Sequence, residues 1–491
     1  MTELVESFER LARDAPDRVV IHAPATSWTV TAARLWDDAR RLASALEREG
    51  LESGSLVALA SGNHPGTLAA WLACRMRNLA IMPLDRSATE AEVRALDAAF
   101  GPCASLVRAA AAPHDAAAGL QLVRAAPGVA RPGIYRGAAV LKLTSGTTGQ
   151  PKAVWTTEAQ LLIDSIHIVE AMDIRPDDVQ IGAIPLSHAY GIGNLVVPLL
   201  MQGTRLVLRE SFVPQQVPHD AAAFGARVFC GVPFMFEHFL QHPPASGWPP
   251  GLCRLISAGA RLDRTTQVRF RDVFGVSIGS FYGASETGGI TFDDGSLAGG
   301  DASADGVVVG APLPGVSVTL RPLGLDDPTA GQVHVKSSAV ADGYVGPGAE
   351  TGAFVDGGFL AGDLARFDAR GRLVLTGRVS AFVNVAGRKV QPEEVERVLR
   401  QMPQVAEAHV LGVADDTRGE MLVACIVPRG VAPTIFQVRQ HCSQSMSPHK
   451  VPRWAVVLDA IPLTERGKPD HRRLRELAAA SIARPGVRDV T

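Results

Sequence analysis

Ten consecutive residues, Leu143-Thr144-Ser145-Gly146-Thr147-Thr148-Gly149-Gln150-Pro151-Lys152, bring together two glycines, four hydroxyls and a cation. They follow the apolar run Ala139-Val140-Leu141. In such a loop successive backbone N–H groups can point inward and wrap an anion. The hydroxyls add adaptable donors and Lys152 adds a point charge. The expected chemistry is phosphate binding. The Walker pattern does not apply, because it needs a hydroxyl directly after the lysine to hold Mg²⁺. Here Gln150-Pro151 separates Gly149 from Lys152, and Ala153 follows. A plain polar hairpin turn is the bland alternative, and it gives no reason for this density of donors.

The loop resembles the signature of the adenylate-forming superfamily of acyl-CoA synthetases, firefly luciferases and nonribosomal adenylation domains. That signature reads Thr/Ser-Ser-Gly-Thr-Thr-Gly-x-Pro-Lys, and Thr144 to Gly149 and Lys152 match it. Further segments resemble the family's motifs in order, and the whole set spans residues 143 to 470. In Pro185-Leu186-Ser187-His188-Ala189-Tyr190-Gly191 the resemblance implies that His188 stands beside the substrate carboxylate as a gate. In Ser257-Ala258-Gly259-Ala260-Arg261-Leu262 it implies a small-residue turn under adenine and the acyl chain, since small side chains let a flat ring approach the backbone.

Phe281-Tyr282-Gly283-Ala284-Ser285-Glu286 resembles the family's Tyr-Gly-x-Thr-Glu motif, with Ser285 in place of Thr. Tyr282 would stack on adenine. Glu286 would serve Mg²⁺, which typically takes one or two protein carboxylates with phosphate oxygens. Gly362-Asp363, preceded by Ala361 where the family has Thr, implies a carboxylate for the ribose hydroxyls. Gly377-Arg378 implies a cation near the ribose or phosphate. Pro462 to Asp470 resembles the catalytic-lysine loop, with Lys468 meeting the carboxylate and the α-phosphate. Asn384 to Val390 occupies the loop that faces the second half-reaction, where Gly387, Arg388 and Lys389 would meet a phosphopantetheine or nucleotide phosphate. The hinge position falls on Ser380, where the family commonly has Asp or Lys.

The resemblance implies a reaction: MgATP converts a carboxylic acid into an acyl-AMP, and the acyl group passes to a thiol of coenzyme A or of a separate phosphopantetheinylated carrier protein. Tyr190, Val232, Phe234, Met235, Ala258, Phe281 and Ala284 are candidate pocket residues, mostly apolar. The His188 region lacks the Asp with which amino-acid-activating relatives bind an α-amino group. A fatty or aryl acid is therefore expected. Rival readings are an enzyme that makes acyl-AMP without a thioester step and a silent ligand-binding protein on the same fold. The second predicts loss of Lys468, Glu286 or the loop, and all are retained.

These residues need elements to hold them. Apolar residues at helical spacing, Leu4, Phe8 and Leu11, precede the strand-like Val19-Val20-Ile21. Helical patterns over 31–50 and 65–77 flank a strand at 57–60, and this alternation predicts a parallel α/β sheet. Residues 108–119 are alanine-biased and read as an exposed connection. From 295 to 376 short β-rich segments between Gly/Pro/Asp turns predict antiparallel structure. A compact α+β domain of roughly 100 residues follows. The expected fold class is α/β: a large N-terminal domain over 1–379, made of parallel α/β subdomains and a β-rich, barrel-like subdomain, and a small mobile α+β C-terminal domain over 380–491.

The bulk properties agree with an enzyme. The 491 residues are 46% hydrophobic and 20% charged. Lys plus Arg is 48 against 50 for Asp plus Glu, which argues against a general nucleic-acid binder. Six scattered cysteines without a CxxC pair read as reduced thiols. The first residues lack the order of a signal peptide, and no apolar run reaches the roughly 18 residues of a membrane span. A cytoplasmic monomer or homodimer is expected.

Overall fold

The computed structural model describes residues 2–108, 119–126, 128–144, 150–296, 306–325, 327–379, 383–385, 388–415, 419–463 and 469–482. Most of the alanine-biased connection, 109–118, lies outside them.

The N-terminal part is built round two sheets. In the first, Val19–Ala23, Arg205–Leu208, Val179–Gly182, Val228–Gly231, Arg254–Ser257 and Ile278–Ala284 run parallel in that spatial order. Their burial is nearly continuous, as parallel strands covered on both faces require. Beyond Ile278–Ala284 the chain reverses into Gly288–Asp293, and the pairing becomes antiparallel. It continues through Val307–Pro312, Leu373–Arg378, Gly358–Phe367, Gly331–Lys336 and Ser317–Arg321. The antiparallel β-rich part expected over 295–376 is therefore present. It is joined to the parallel sheet edge to edge, through Thr291 opposite Pro312 and Phe292 opposite Ala311.

The second sheet orders Gly343–Val345, Lys152–Thr156, Val140–Thr144, Ala80–Pro83, Leu56–Ala60, Ala104–Arg108 and Leu120–Arg124. Helix Pro65–Met76 is mostly apolar and almost wholly buried, Trp71 included, and its one charge, Arg75, is paired with Glu158. A helix hydrophobic all round must sit inside the core. Helix Glu158–Ala171 opens with a capping box: the Thr157 side chain accepts from Gln160 N, and Gln160 Oε1 accepts from Thr157 N at 2.8 Å. Such a cap contributes about 1 kcal/mol. Gln160 Nε2 also donates to Val340 O and Asp342 Oδ1, both at 2.9 Å. The cap thus ties this helix to the approach of strand Gly343–Val345.

The C-terminal part has its own sheet. Val405–Asp415 and Gly419–Pro428 form a long antiparallel pair, with Trp454–Val457 parallel to the second. Helices Pro392–Arg400, Ile435–Ser443 and His471–Ile482 accompany it. Two apolar clusters lie within this part, around Val395 and Leu399 and around Leu474 and Ala478.

Candidate active site

The strands on either side of the glycine–hydroxyl loop pair with each other, Thr144 opposite Lys152 and Val140 opposite Thr156. Residues Ser145, Gly146, Thr147, Thr148 and Gly149 lie outside the described residues, as do Ser380, Gly387 and Lys468. At the root of the loop the Thr144 hydroxyl is buried with no partner among the described residues. Lys152 is 8% exposed. Its ammonium bonds Glu350 Oε1 at 3.2 Å and lies 4.2 Å from the centre of the Tyr344 ring. The point charge expected for phosphate is thus paired with Glu350 here.

Glu286 stands on the turn between Ile278–Ala284 and Gly288–Asp293. Its Oε1 accepts from the Tyr344 hydroxyl at 2.6 Å, and its backbone carbonyl accepts from Ala341 N at 2.9 Å. Burial and the Glu286 carboxylate both push the Tyr344 phenol far up, so it remains a donor. Beneath the turn, Lys142 Nζ donates to the Ser285 carbonyl at 3.1 Å.

Tyr282, Asp363 and Arg378 form one chain. The Tyr282 hydroxyl donates to Asp363 Oδ2 at 2.8 Å, and Arg378 Nε lies 3.0 Å from Asp363 Oδ1. Asp363 and Arg378 are cross-strand neighbours, so the register of that ladder sets their contact. Burial, then the Asp363 carboxylate, holds the Tyr282 phenol well above its ordinary value. Gly283 pairs with Gly289 across the reversal.

The expected acid pocket is partly assembled. The Tyr190 and Phe281 rings are 6.0 Å apart, and the Tyr190 hydroxyl donates to the Ile256 carbonyl at 3.1 Å. Met235, Ala258 and Phe281 are buried, while Val232 and Ala284 are half-buried. Phe234 is 59% exposed and packs edge-on against Phe212 at 5.8 Å, so it lies at the surface. Ala260 and Arg261 are exposed, and Arg261 pairs with Asp263 at 3.1 Å. Gly259 has φ +80°, which a side chain would strain.

His188 precedes a tight turn in which a Cβ at Gly191 would come 2.1 Å from the Pro185 carbonyl oxygen. The imidazole Nε2 is 3.1 Å from Asp85 Oδ2, and both side chains are substantially exposed. Burial alone would raise the Asp85 pKa. Hydrogen bonds from Ser87 and the neighbouring His188 outweigh it and draw it down.

Comparison with known proteins identifies the family. The family described as AMP-binding enzyme matches residues 8–345, and its C-terminal domain matches residues 394–468. The chain belongs to the AMP-binding enzyme family. Indoleacetate–CoA ligase of Aromatoleum aromaticum is 28% identical over 97% of this AMP-binding enzyme and 98% of its own length. Sulfoacetate–CoA ligase of Cupriavidus necator is 27% identical over 94% of both chains. Among solved structures, ATP-bound MatB of Rhodopseudomonas palustris superposes with a TM-score of 0.79 at 27% identity, covering 96% of this chain and 98% of that one.

Residues outside the local motifs contact the candidate site. Lys142, Tyr344, Glu350 and Asp85 touch motif residues or their backbone, and Asp164 bonds Gly289 N just beyond one. Only Lys142 left a local trace, a lone cation inside the apolar run Val140-Leu141-Lys142-Leu143.

Proposed function

We propose that this chain activates a carboxylic acid with ATP and passes the acyl group to coenzyme A. The observation that carries the reading is the Tyr282–Asp363–Arg378 chain beside the turn that bears Glu286. A ring, a carboxylate and a guanidinium in line suit adenine, ribose and phosphate. Asp363 has lone pairs left for ribose hydroxyls, because an ionised carboxylate offers about four acceptor sites. In the first step a carboxylate oxygen attacks the α-phosphorus, the bond to the β-phosphate oxygen breaks, and pyrophosphate leaves. Charge builds on the phosphorus oxygens, so preorganised donors and cations count most. The Thr144–Gly149 loop and Lys468 are the proposed sources. In the second step a thiolate attacks the acyl carbonyl and AMP leaves.

The residues fit Mg²⁺. Tyr344 engages only Oε1 of Glu286, and the Thr144 hydroxyl is buried without a partner among the described residues. Glu286 and Thr144 would hold the ion, which would neutralise developing phosphate charge.

The proposed domains are 1–379 and 380–491, turning at Ser380 so that Lys468 leaves and Gly387, Arg388 and Lys389 approach the thiol. At the start of the small domain, Gln391 Nε2 and Glu393 Oε2 are buried without partners among the described residues. A rotation would expose both to water. The acid is aryl or fatty, given the apolar lining from Tyr190, Val232, Met235, Ala258, Phe281 and Ala284. Coenzyme A is favoured over a separate carrier protein because the curated relatives named above are CoA ligases.

A second reading has its own support. The amide bond synthetase McbA of Marinactinospora thermotolerans superposes with a TM-score of 0.76 at 25% identity, covering 96% of this chain and 99% of that one. An amine would then take the acyl group from the acyl-AMP.

The test is acid-dependent exchange of labelled pyrophosphate into ATP over a panel of aryl, fatty and short acids. It is followed by mass spectrometry of products with coenzyme A or an amine present. Exchange and a CoA thioester are expected, and Lys468→Ala should abolish most exchange. No exchange with any acid would sink the proposal, and amide without thioester would favour the second reading.

A further inference from the structure

Two buried ions that no motif assigns meet at one turn. Lys142 is 5% exposed in the middle of strand Val140–Thr144, two residues before the phosphate loop begins. Its ammonium donates to the Ser285 carbonyl at 3.1 Å. Asp164 is also 5% exposed, in the middle of helix Glu158–Ala171. Its Oδ1 accepts from Gly289 N at 2.8 Å. The turn between these anchors, Ser285 to Gly289, carries Glu286.

The fit round Asp164 is close. Gly288 has φ +70°, and a Cβ there would come 2.1 Å from Asp164 Oδ1. A side chain at 288 would therefore meet both backbone strain and the carboxylate. On its other side Asp164 faces Gly193, where a Cβ would lie 3.3 Å from Oδ2. That glycine follows Tyr190 in the segment running from His188 past the acid pocket. Asp164 thus sits between the acid-side segment and the Glu286 turn. Each ion spends its hydrogen bond on backbone, so each fixes chain position and not merely a neighbouring side chain. The two charges, with Glu286, also compensate each other in a buried place. The carboxylates of Asp164 and Glu286 oppose the effect of burial on Lys142.

We propose that Lys142 and Asp164 are positioning residues for adenylation: they clamp the two ends of the Ser285–Gly289 turn and hold Glu286 in register with strand Val140–Thr144. The proposal rests on the role given to Glu286 above. Buried ions anchored in this way lock a functional side chain from behind, and small displacements of such a group cost much rate.

The experiment uses the full chain and its best acid. Asp164→Asn keeps an acceptor for Gly289 N but removes the charge, and Lys142→Gln does the same for the donor to Ser285. Pyrophosphate exchange is measured against ATP, acid and Mg²⁺, and amide hydrogen exchange is followed over 284–290. Both variants should lose about 10- to 100-fold in kcat, with the KM for the acid within about twofold if binding is left uniform. Amides 285–290 should exchange faster while distant strands stay protected. A merely structural defect would lower the folded yield without that split. Wild-type kcat in folded variants, or lost kcat with unchanged protection of 285–290, would overturn the clamp. Should neither variant fold, the wild type decides alone: the Gly289 amide must be far slower to exchange than the exposed turn amides near Thr329, and equal rates would overturn the proposal. If the wild type shows no exchange with any acid, the functional reading fails, while the hydrogen-exchange arm still reports on the clamp.

Discussion

Two groups of charged residues serve the candidate site, and they are built on different principles. Behind the nucleotide side, Lys142, Lys152 and Asp164 are 5%, 8% and 5% exposed. In the other group the side chains of His188 and its partner Asp85 are 54% and 37% exposed. There Glu210 takes Arg86 at 2.6 Å and Arg108 as well. In the buried group, Lys142 and Asp164 are bonded to backbone atoms at Ser285 and Gly289. In the surface group the ions are bonded to one another. Ions anchored in backbone and hidden from water hold a shape. Exposed pairs are worth roughly 0–1 kcal/mol and can trade partners when a charged ligand arrives. The buried group is set in advance, and the surface group can respond.

Removing one buried partner should have the largest effect. Lys142→Met would leave Asp164 as an uncompensated buried charge, and a loss of about 3–5 kcal/mol in urea unfolding is expected. A loss below 1 kcal/mol would mean that Asp164 is already neutral or wet, and the contrast would collapse. Next comes His64, which is buried beside Arg108 and Glu210 of the surface group. Its Nδ1 accepts from Gly66 N at 3.0 Å, so it caps helix Pro65–Met76 in its neutral form. Burial, then Arg108, lowers its pKa to about 4. A lowered value means that the unfolded chain binds the proton more readily. The stabilisation is therefore complete above about pH 6.5 and is lost as pH falls towards 4, by about 1 kcal/mol per unit. Thermal unfolding from pH 7 to 4.5 should show this slope, and His64→Asn should flatten it.

Tyr344→Phe tests the Glu286 turn more gently. It deletes one hydrogen bond to Glu286, and exchange activity should fall by about tenfold, equivalent to about 1.4 kcal/mol. Stability should move much less. The smallest effects belong to the surface. Asp85→Asn and Glu210→Gln should each change stability by less than about 0.5 kcal/mol, and less still in high salt. A cost above 2 kcal/mol for either would show that the surface group is also structural, and the comparison would need redrawing.

The two groups also differ in how visible they were in the sequence. The alternation of strands and helices was legible because burial repeats with the period of each element. Tyr282, Glu286, Asp363 and Arg378 were legible because short motifs carry them. Partners brought in from outside the motifs were not. Lys142 reaches a carbonyl 143 residues away, Asp164 an amide 125 away, and His188 a carboxylate 103 away. No local period records contacts at such distances. Lys152 shows the converse: the motif marks it as a phosphate cation, and the fold gives it Glu350 and the Tyr344 ring.

What the sequence determined by itself was the local chemistry: a glycine–hydroxyl loop rich in donors, carboxylates and rings at motif spacing, and elements whose periods dictate helix or strand. Tertiary structure alone decided which strand edge meets which, and so which buried ion faces which backbone atom. The physical reason is that a hydrogen bond to Ser285 or Gly289 depends on three elements arriving at one point. Packing sets that meeting, and nothing within ten residues of Lys142 or Asp164 could announce it.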